Sequence, residues 1–217
     1  MKAKTLLVAA AALAAATISS QAQVYSQNIV GYVNVGFEGP NKYTLVSNPL
    51  DSGTNTIGGI IGTNLPLNGK ILKWNGSQFV TYTRISFGNG WNPSTAPTVT
   101  LNPGEGFFVY TPTAYTNTFV GNALTGNLTN AYTALYTLSG NLTAIGGSVT
   151  TMQLTNVPTN DKLLLWNRAL QQYSTYTKIS FGSGWNPSVP SINVGDGFFV
   201  NVPANGAAFN WIQNFNP

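Results

Sequence analysis

The sequence predicts an all-β protein made of two homologous antiparallel modules, each a β-sandwich or barrel-like unit, related by internal duplication. Three observations lead there: a long internal repeat, apolar residues alternating at period two, and turn formers, 23 Gly and 12 Pro among 217 residues, set between short β-prone runs. Helical periodicity is absent over any useful length, although the Gly-rich runs Thr56–Gly62 and Ile145–Val149 leave room for a helical turn.

The repeat is anchored by Thr81-Tyr-Thr-Arg-Ile-Ser-Phe-Gly-Asn-Gly-Trp-Asn-Pro-Ser94, which recurs as Thr175-Tyr-Thr-Lys-Ile-Ser-Phe-Gly-Ser-Gly-Trp-Asn-Pro-Ser188 with twelve of fourteen positions identical. Around it the same signals return in the same order. Tyr43-Thr-Leu45 matches Tyr136-Thr-Leu138, Lys70–Asn75 matches Lys162–Asn167, and Gly104-Glu-Gly-Phe-Phe-Val109 matches Gly195-Asp-Gly-Phe-Phe-Val200. The modules are placed at 36–121 and 122–217.

Taken in order, residues 1–22 read as a secretory signal. Lys2 and Lys4 form a basic start, Leu6–Ile18 an apolar stretch, and Ser20-Gln-Ala22 a small-residue cleavage site, with the cut expected after Ala22. An apolar run of about 13 residues is short of the roughly 20 that cross a bilayer, so cleavage rather than anchoring is expected, and the mature chain has no second run of that length. The leader, residues 23–35, carries the β-prone, uncharged segment Val24–Val35 and lies outside the repeat. It is expected either to complete the first module in its own chain or to add to a neighbour's open edge, which would make the protein self-assemble.

Within the modules, Phe79, Thr81, Thr83, Ile85 and Phe87 share one face of a strand and are expected inside, as are Tyr173, Thr175, Thr177, Ile179 and Phe181 in the second copy. Tyr82, Arg84 and Ser86 share the other face, expected wet, and Tyr176, Lys178 and Ser180 repeat it. Gly88-Asn-Gly90 and Gly182-Ser-Gly184 supply tight turns that tolerate positive φ. Leu72, Trp74, Phe107 and Val109, with Leu164, Trp166, Phe198 and Val200, are the expected core.

Composition excludes many functions. Charged residues are only 6% of the chain, yet 43% is hydrophobic, which is not the signature of a disordered segment. The lack of Cys and His removes disulfides, thiol nucleophiles, zinc fingers, haem ligation and imidazole-dependent triads. Without Lys2 and Lys4 the chain keeps seven basic and five acidic residues, a net charge of +2 with no basic cluster, so nucleic-acid binding is not expected.

The order "YTLVSNPL", "KILKWNGSQFVTYT", "GNGWNP", "LNPGEGFFVYTP" resembles a β-module of uncharacterised exported proteins of Gram-negative bacteria, including surface proteins of the type IX secretion kind. In the second copy Ser47-Asn-Pro-Leu50 has become Ser139-Gly-Asn-Leu142 and the "NPGEG" turn has become Asn193-Val-Gly-Asp-Gly197. The resemblance implies a secreted or surface-displayed module and carries over no catalytic residue.

The candidate sites are few. Trp91 and Trp185 follow flexible turns, where a ring could stack on a sugar or a partner protein; the alternative is that they plug the sheet end. Tyr82 with Arg84 and Tyr176 with Lys178 form matched aromatic–basic pairs on the face expected wet, so any binding patch is presented twice. Glu105 and Asp196 occupy equivalent Gly-x-Gly turns and are the one carboxylate pair that a twofold arrangement could bring together for acid–base chemistry; a turn-closing role competes with this. Asp51–Asn55 and Asn160-Asp161 read as turns rather than calcium loops, and no cofactor motif occurs. The expected function is a non-enzymatic secreted, periplasmic or cell-surface β-protein with a structural, adhesive, glycan-binding or envelope-protein-binding role. The alternative is an extracellular polysaccharide hydrolase using carboxylates alone.

Overall fold

A computed structural model describes residues 29–133 and 135–216. The signal expected at 1–22 and the start of the leader lie outside them. The described chain is almost entirely antiparallel β-structure in open sheets, sandwich-like rather than a closed barrel.

The first half contains β1 (Val30–Phe37), β2 (Lys42–Ser47), the short helix α1 (Ile57–Ile60), β3 (Lys70–Trp74), β4 (Phe79–Arg84), β5 (Trp91–Asn92), β6 (Gly106–Thr111) and β7 (Tyr115–Asn122). The second contains β8 (Gly126–Tyr132), β9 (Leu135–Gly140), β10 (Gly147–Ser148), β11 (Lys162–Asn167), β12 (Gln172–Lys178), β13 (Trp185–Asn186), β14 (Ser191–Ile192), β15 (Gly197–Val202) and β16 (Phe209–Phe215). Each half has a five-stranded sheet, ordered β2-β6-β3-β4-β5 in one and β9-β15-β11-β12-β13 in the other, and a two-stranded ribbon, β1-β7 or β8-β16.

The two strand orders are the same, and they revise two readings of the sequence. The leader strand β1 does not lie outside the repeat: it pairs with β7 from Val30↔Asn122 to Phe37↔Tyr115, as β8 pairs with β16 from Gly126↔Phe215 to Tyr132↔Phe209. Register also shifts one expected match. Ser47 faces Gly106 and Gly140 faces Gly197, so the counterpart of Ser47 is Gly140, not Ser139.

Each ribbon covers one face of its own sheet. In the first half Val35, Phe37 and Phe119 of the ribbon meet Ile71, Phe107 and Val109 of the sheet; in the second, Tyr132 and Trp211 meet Leu163, Phe198 and Val200. The opposite faces of the two sheets pack on each other through Leu45, Phe108, Leu138 and Phe199, flanked by Trp74, Phe79, Trp166 and Tyr173. Both faces of each sheet are therefore covered, which is why Phe107, Phe108 and Val109 run without a polar break. The expected wet face of β4 is corrected by the same fact: Tyr82 and Tyr176 lie against the ribbon-side cores, while Phe79 faces the other half. Phe87 and Phe181, expected inside, are each 72% exposed, because strand pairing ends at Arg84 and Lys178 and the pleat alternation ends with it.

The interface between the halves is pseudo-twofold. Trp74 Nε1–H donates to the Tyr136 carbonyl at 3.2 Å and Trp166 Nε1–H to the Tyr43 carbonyl at 2.9 Å. Phe108 meets Trp166 edge to face at 5.0 Å, and Phe199 meets Trp74 at 5.5 Å. Ser47 N–H donates to Gly195 O and Gly140 N–H to Gly104 O, both at 2.9 Å. Reciprocal contacts of this kind define an isologous interface, here within one chain.

Candidate functional site

The two tryptophans singled out as ligand platforms are enclosed. Trp91 is 3% and Trp185 5% exposed, each within its own half's core. The cause is local: Gly88, Gly90, Gly182 and Gly184 all have positive φ, and the turn they form folds each ring back beneath its sheet. The basic partners brace these turns instead of facing a ligand. Arg84 Nη1–H donates to Gly90 O at 2.7 Å and to Ile85 O, and Lys178 Nζ stands 5.3 Å from the centre of the Trp185 ring. A Cβ at Gly90 would lie 2.4 Å from Arg84 Nη1, so the glycine also makes room for the cation.

Glu105 and Asp196 each close their own turn. Glu105 Oε2 accepts the Asn102 N–H at 2.7 Å and its Oε1 lies 3.1 Å from Lys73 Nζ. Asp196 Oδ2 accepts Asn193 Nδ2–H at 2.9 Å and its Oδ1 is paired with the Arg168 guanidinium. The pseudo-twofold relation places both turns at the interface, in bridges Glu105↔Ser139 and Val46↔Asp196, but the side chains turn to different cations. Asp51 is held below the usual carboxylate range by the Gly53 N–H and then by Asn55, at 2.8 and 2.7 Å, a turn as expected. Among the described residues no group of three or more acidic, His or Cys side chains gathers, and no helix is long and apolar enough to cross a membrane.

The halves differ where sequence reasoning did not look. A cavity of about 220 Å³ opens beside the interface, walled by Leu45, Leu165 and Tyr176 and by Ser191, Asp196 and Trp166. It adjoins a hollow of about 450 Å³ that shares Trp166, Asn167, Asn193 and Asp196 and extends to Arg168 and to Asn34 and Gly36 of β1. Arg168 joins the two halves across it, donating from Nη1 to Gly36 O at 3.1 Å. Of the residues singled out from the sequence, the groove brings together Tyr176 and Asp196; Trp91, Trp185, Tyr82, Arg84, Lys178 and Glu105 do not line it.

No family model, curated protein or solved structure matches this chain. What it can bind is therefore read from the groove alone. Its wall offers aromatic and aliphatic surface from Trp166, Tyr176 and Leu165. Beside that surface sit Asn167, Asn193 and Ser191, and the Asp196–Arg168 pair supplies acceptors and donors whose charges cancel. Rings flanked by amides and a neutralised ion pair suit an uncharged polyol, which needs flat apolar contact and bidirectional hydrogen bonding.

Proposed function

We propose that this protein is a non-enzymatic exported β-protein, secreted or displayed at the cell surface, that holds an extracellular glycan in the groove between its two halves. The observation that carries the reading is the composition of the groove: Trp166 and Tyr176 beside Asn167, Asn193 and the Asp196–Arg168 pair, in a concave surface built by both modules. The signal at 1–22 and the resemblance to exported surface modules support export. Binding rather than hydrolysis is favoured because Glu105 and Asp196 are both committed to closing turns, each against its own cation.

Affinity electrophoresis through gels containing neutral polysaccharides tests this. The protein is expected to be retarded by at least one polymer, and Asn167→Ala combined with Arg168→Gly, which strips half-buried polar groups from the groove, is expected to restore free migration. Unretarded migration through every polymer, or equal retardation of the double variant, would refute it.

A further inference from the structure

The first half shows what the 220 Å³ cavity of the second is shaped to hold. By strand register Lys73 corresponds to Leu165 and Thr100 to Ser191. In the first half the Lys73 side chain fills this place, its Nζ donating to Thr100 O at 2.7 Å, to Thr100 Oγ1 at 3.2 Å and to Glu105. A leucine side chain ends well short of a lysine's, and the space beyond it is the cavity bounded by Leu165, Ser191 and Asp196.

The acceptors at its end are preserved. The Thr56–Thr100 bridge is flanked by the bonds Ile57 N–H to Val99 O at 2.8 Å and Leu101 N–H to Asn55 O at 2.7 Å. It is therefore a non-hydrogen-bonded pair, and the Thr100 carbonyl points away from the ladder toward Lys73. In the second half Val149 N–H donates to Pro190 O at 3.1 Å, so the adjoining Ser148–Ser191 pair is of the same kind and the Ser191 carbonyl likewise points away from its strand partner. Ser191 also keeps a hydroxyl where Thr100 has one.

Charge decides what the missing arm is. Glu105 is balanced by Lys73 from within the cavity's counterpart. Asp196 is balanced from outside by Arg168, which stands where the first copy has Gly76. A second cation in the cavity would be unmatched, so the arm that completes it is an uncharged donor on a short apolar stem. Resting on the glycan reading above, we infer that this cavity takes the exocyclic hydroxymethyl group of a neutral hexopyranose: the methylene against Leu165 and Leu45, the hydroxyl donating to Ser191.

The test titrates the full mature chain, labelled with ¹⁵N, against methyl glucoside, galactoside and mannoside, against methyl xyloside, which lacks the hydroxymethyl group, and against 6-amino-6-deoxyglucoside. A hexoside is expected to shift the Ser191 and Leu165 amides with affinity about tenfold above the xyloside. Leu165→Lys, which refills the cavity as in the first half, is expected to abolish that preference while keeping a native spectrum. Ser191→Ala, a milder change should the lysine variant not fold, is expected to reduce it several-fold. Xyloside binding as tight as the hexosides, tighter binding of the amino sugar, or a preference untouched by the variants that fold would overturn the subsite and leave the groove reading standing. Failure of every sugar to move any groove resonance would overturn both.

Discussion

Gly140→Ala is expected to break the interface between the halves. Gly140 and Ser47 are counterparts that meet across the pseudo-twofold axis, and a Cβ built on Gly140 would lie 2.0 Å from Ser47 Cβ and 2.4 Å from its Oγ. Carbon atoms pack at about 3.5–4 Å, so the two strands would have to part by roughly 1.5 Å or more. Ser47 is fully buried and cannot swing aside. Separation stretches three bonds at this crossing: Ser47 N–H to Gly195 O, Gly140 N–H to Gly104 O, and Ser47 Oγ–H to Asp196 O at 3.1 Å. Taking about 1 kcal/mol for each of the three bonds and about 1 kcal/mol more for the overpacking gives a loss of about 4 kcal/mol. For a chain of this size that is roughly 12 °C in Tm, measured by calorimetry on the mature protein. The backbone of Gly140 is not left-handed, so the effect is one of space and not of glycine's freedom. The exchange Ser47→Gly with Gly140→Ser, which moves the side chain to the other side of the axis, is therefore expected to recover most of the loss. A Gly140→Ala protein within about 0.5 kcal/mol of the parent, or an exchange variant no better than the single one, would refute the reasoning.

Two further outcomes follow from single sites. Asp161 is 1% exposed with both carboxylate oxygens lacking hydrogen-bond partners, and burial raises its pKa from 3.8, so its contribution to stability is lost as pH rises from 3.8 through the raised folded value; Asp161→Asn is expected to be more stable than the parent at pH 7, with the advantage disappearing on acidification below 3.8 in pH-dependent urea melts. Phe87 and Phe181 project from their turns, so Phe87→Ser with Phe181→Ser is expected to change unfolding free energy by less than about 0.5 kcal/mol per site in the same melts, and a large loss would mean that these rings are covered in solution.

The sequence-level reading succeeded where the two copies agree and local chemistry decides. Turn glycines 88, 90, 182 and 184 take the positive φ expected of them, and Phe107 and Phe198, Trp74 and Trp166 occupy matching places. The leader was harder to place, since VGYVNVGF and GNLTNAY share little beyond a closing aromatic, Phe37 or Tyr132, that meets Tyr115 or Phe209 at 4.7 or 5.0 Å. The Tyr82 face of β4 reads as wet because alternation within one strand reports how polar each face is, not whether the ribbon of the same half lies on it. On the face expected inside, Phe79 does pack against Phe199 of the other half, whereas Thr81 is exposed and Thr83 half-buried. For Trp91 and Trp185 the sheet-end alternative holds, because a tight Gly-x-Gly turn carries the next side chain back under the sheet as readily as into solvent.

Agreement between the copies does not point to the groove. A position that is the same in both halves serves what the halves have in common, which is folding and mutual packing, and the fourteen-residue anchor turns out to consist of a braced strand, its turn and a buried tryptophan. A site present once must arise from differences. The substitutions of Leu165 for Lys73 and Arg168 for Gly76 act together: the first empties a slot that a lysine fills in the other half, and the second replaces the cation from outside so that Asp196 is not left unpaired. Either change alone would leave a half-buried carboxylate without its counter-charge or crowd two cations against it, whereas the pair leaves a neutral, half-apolar recess with its acceptors intact.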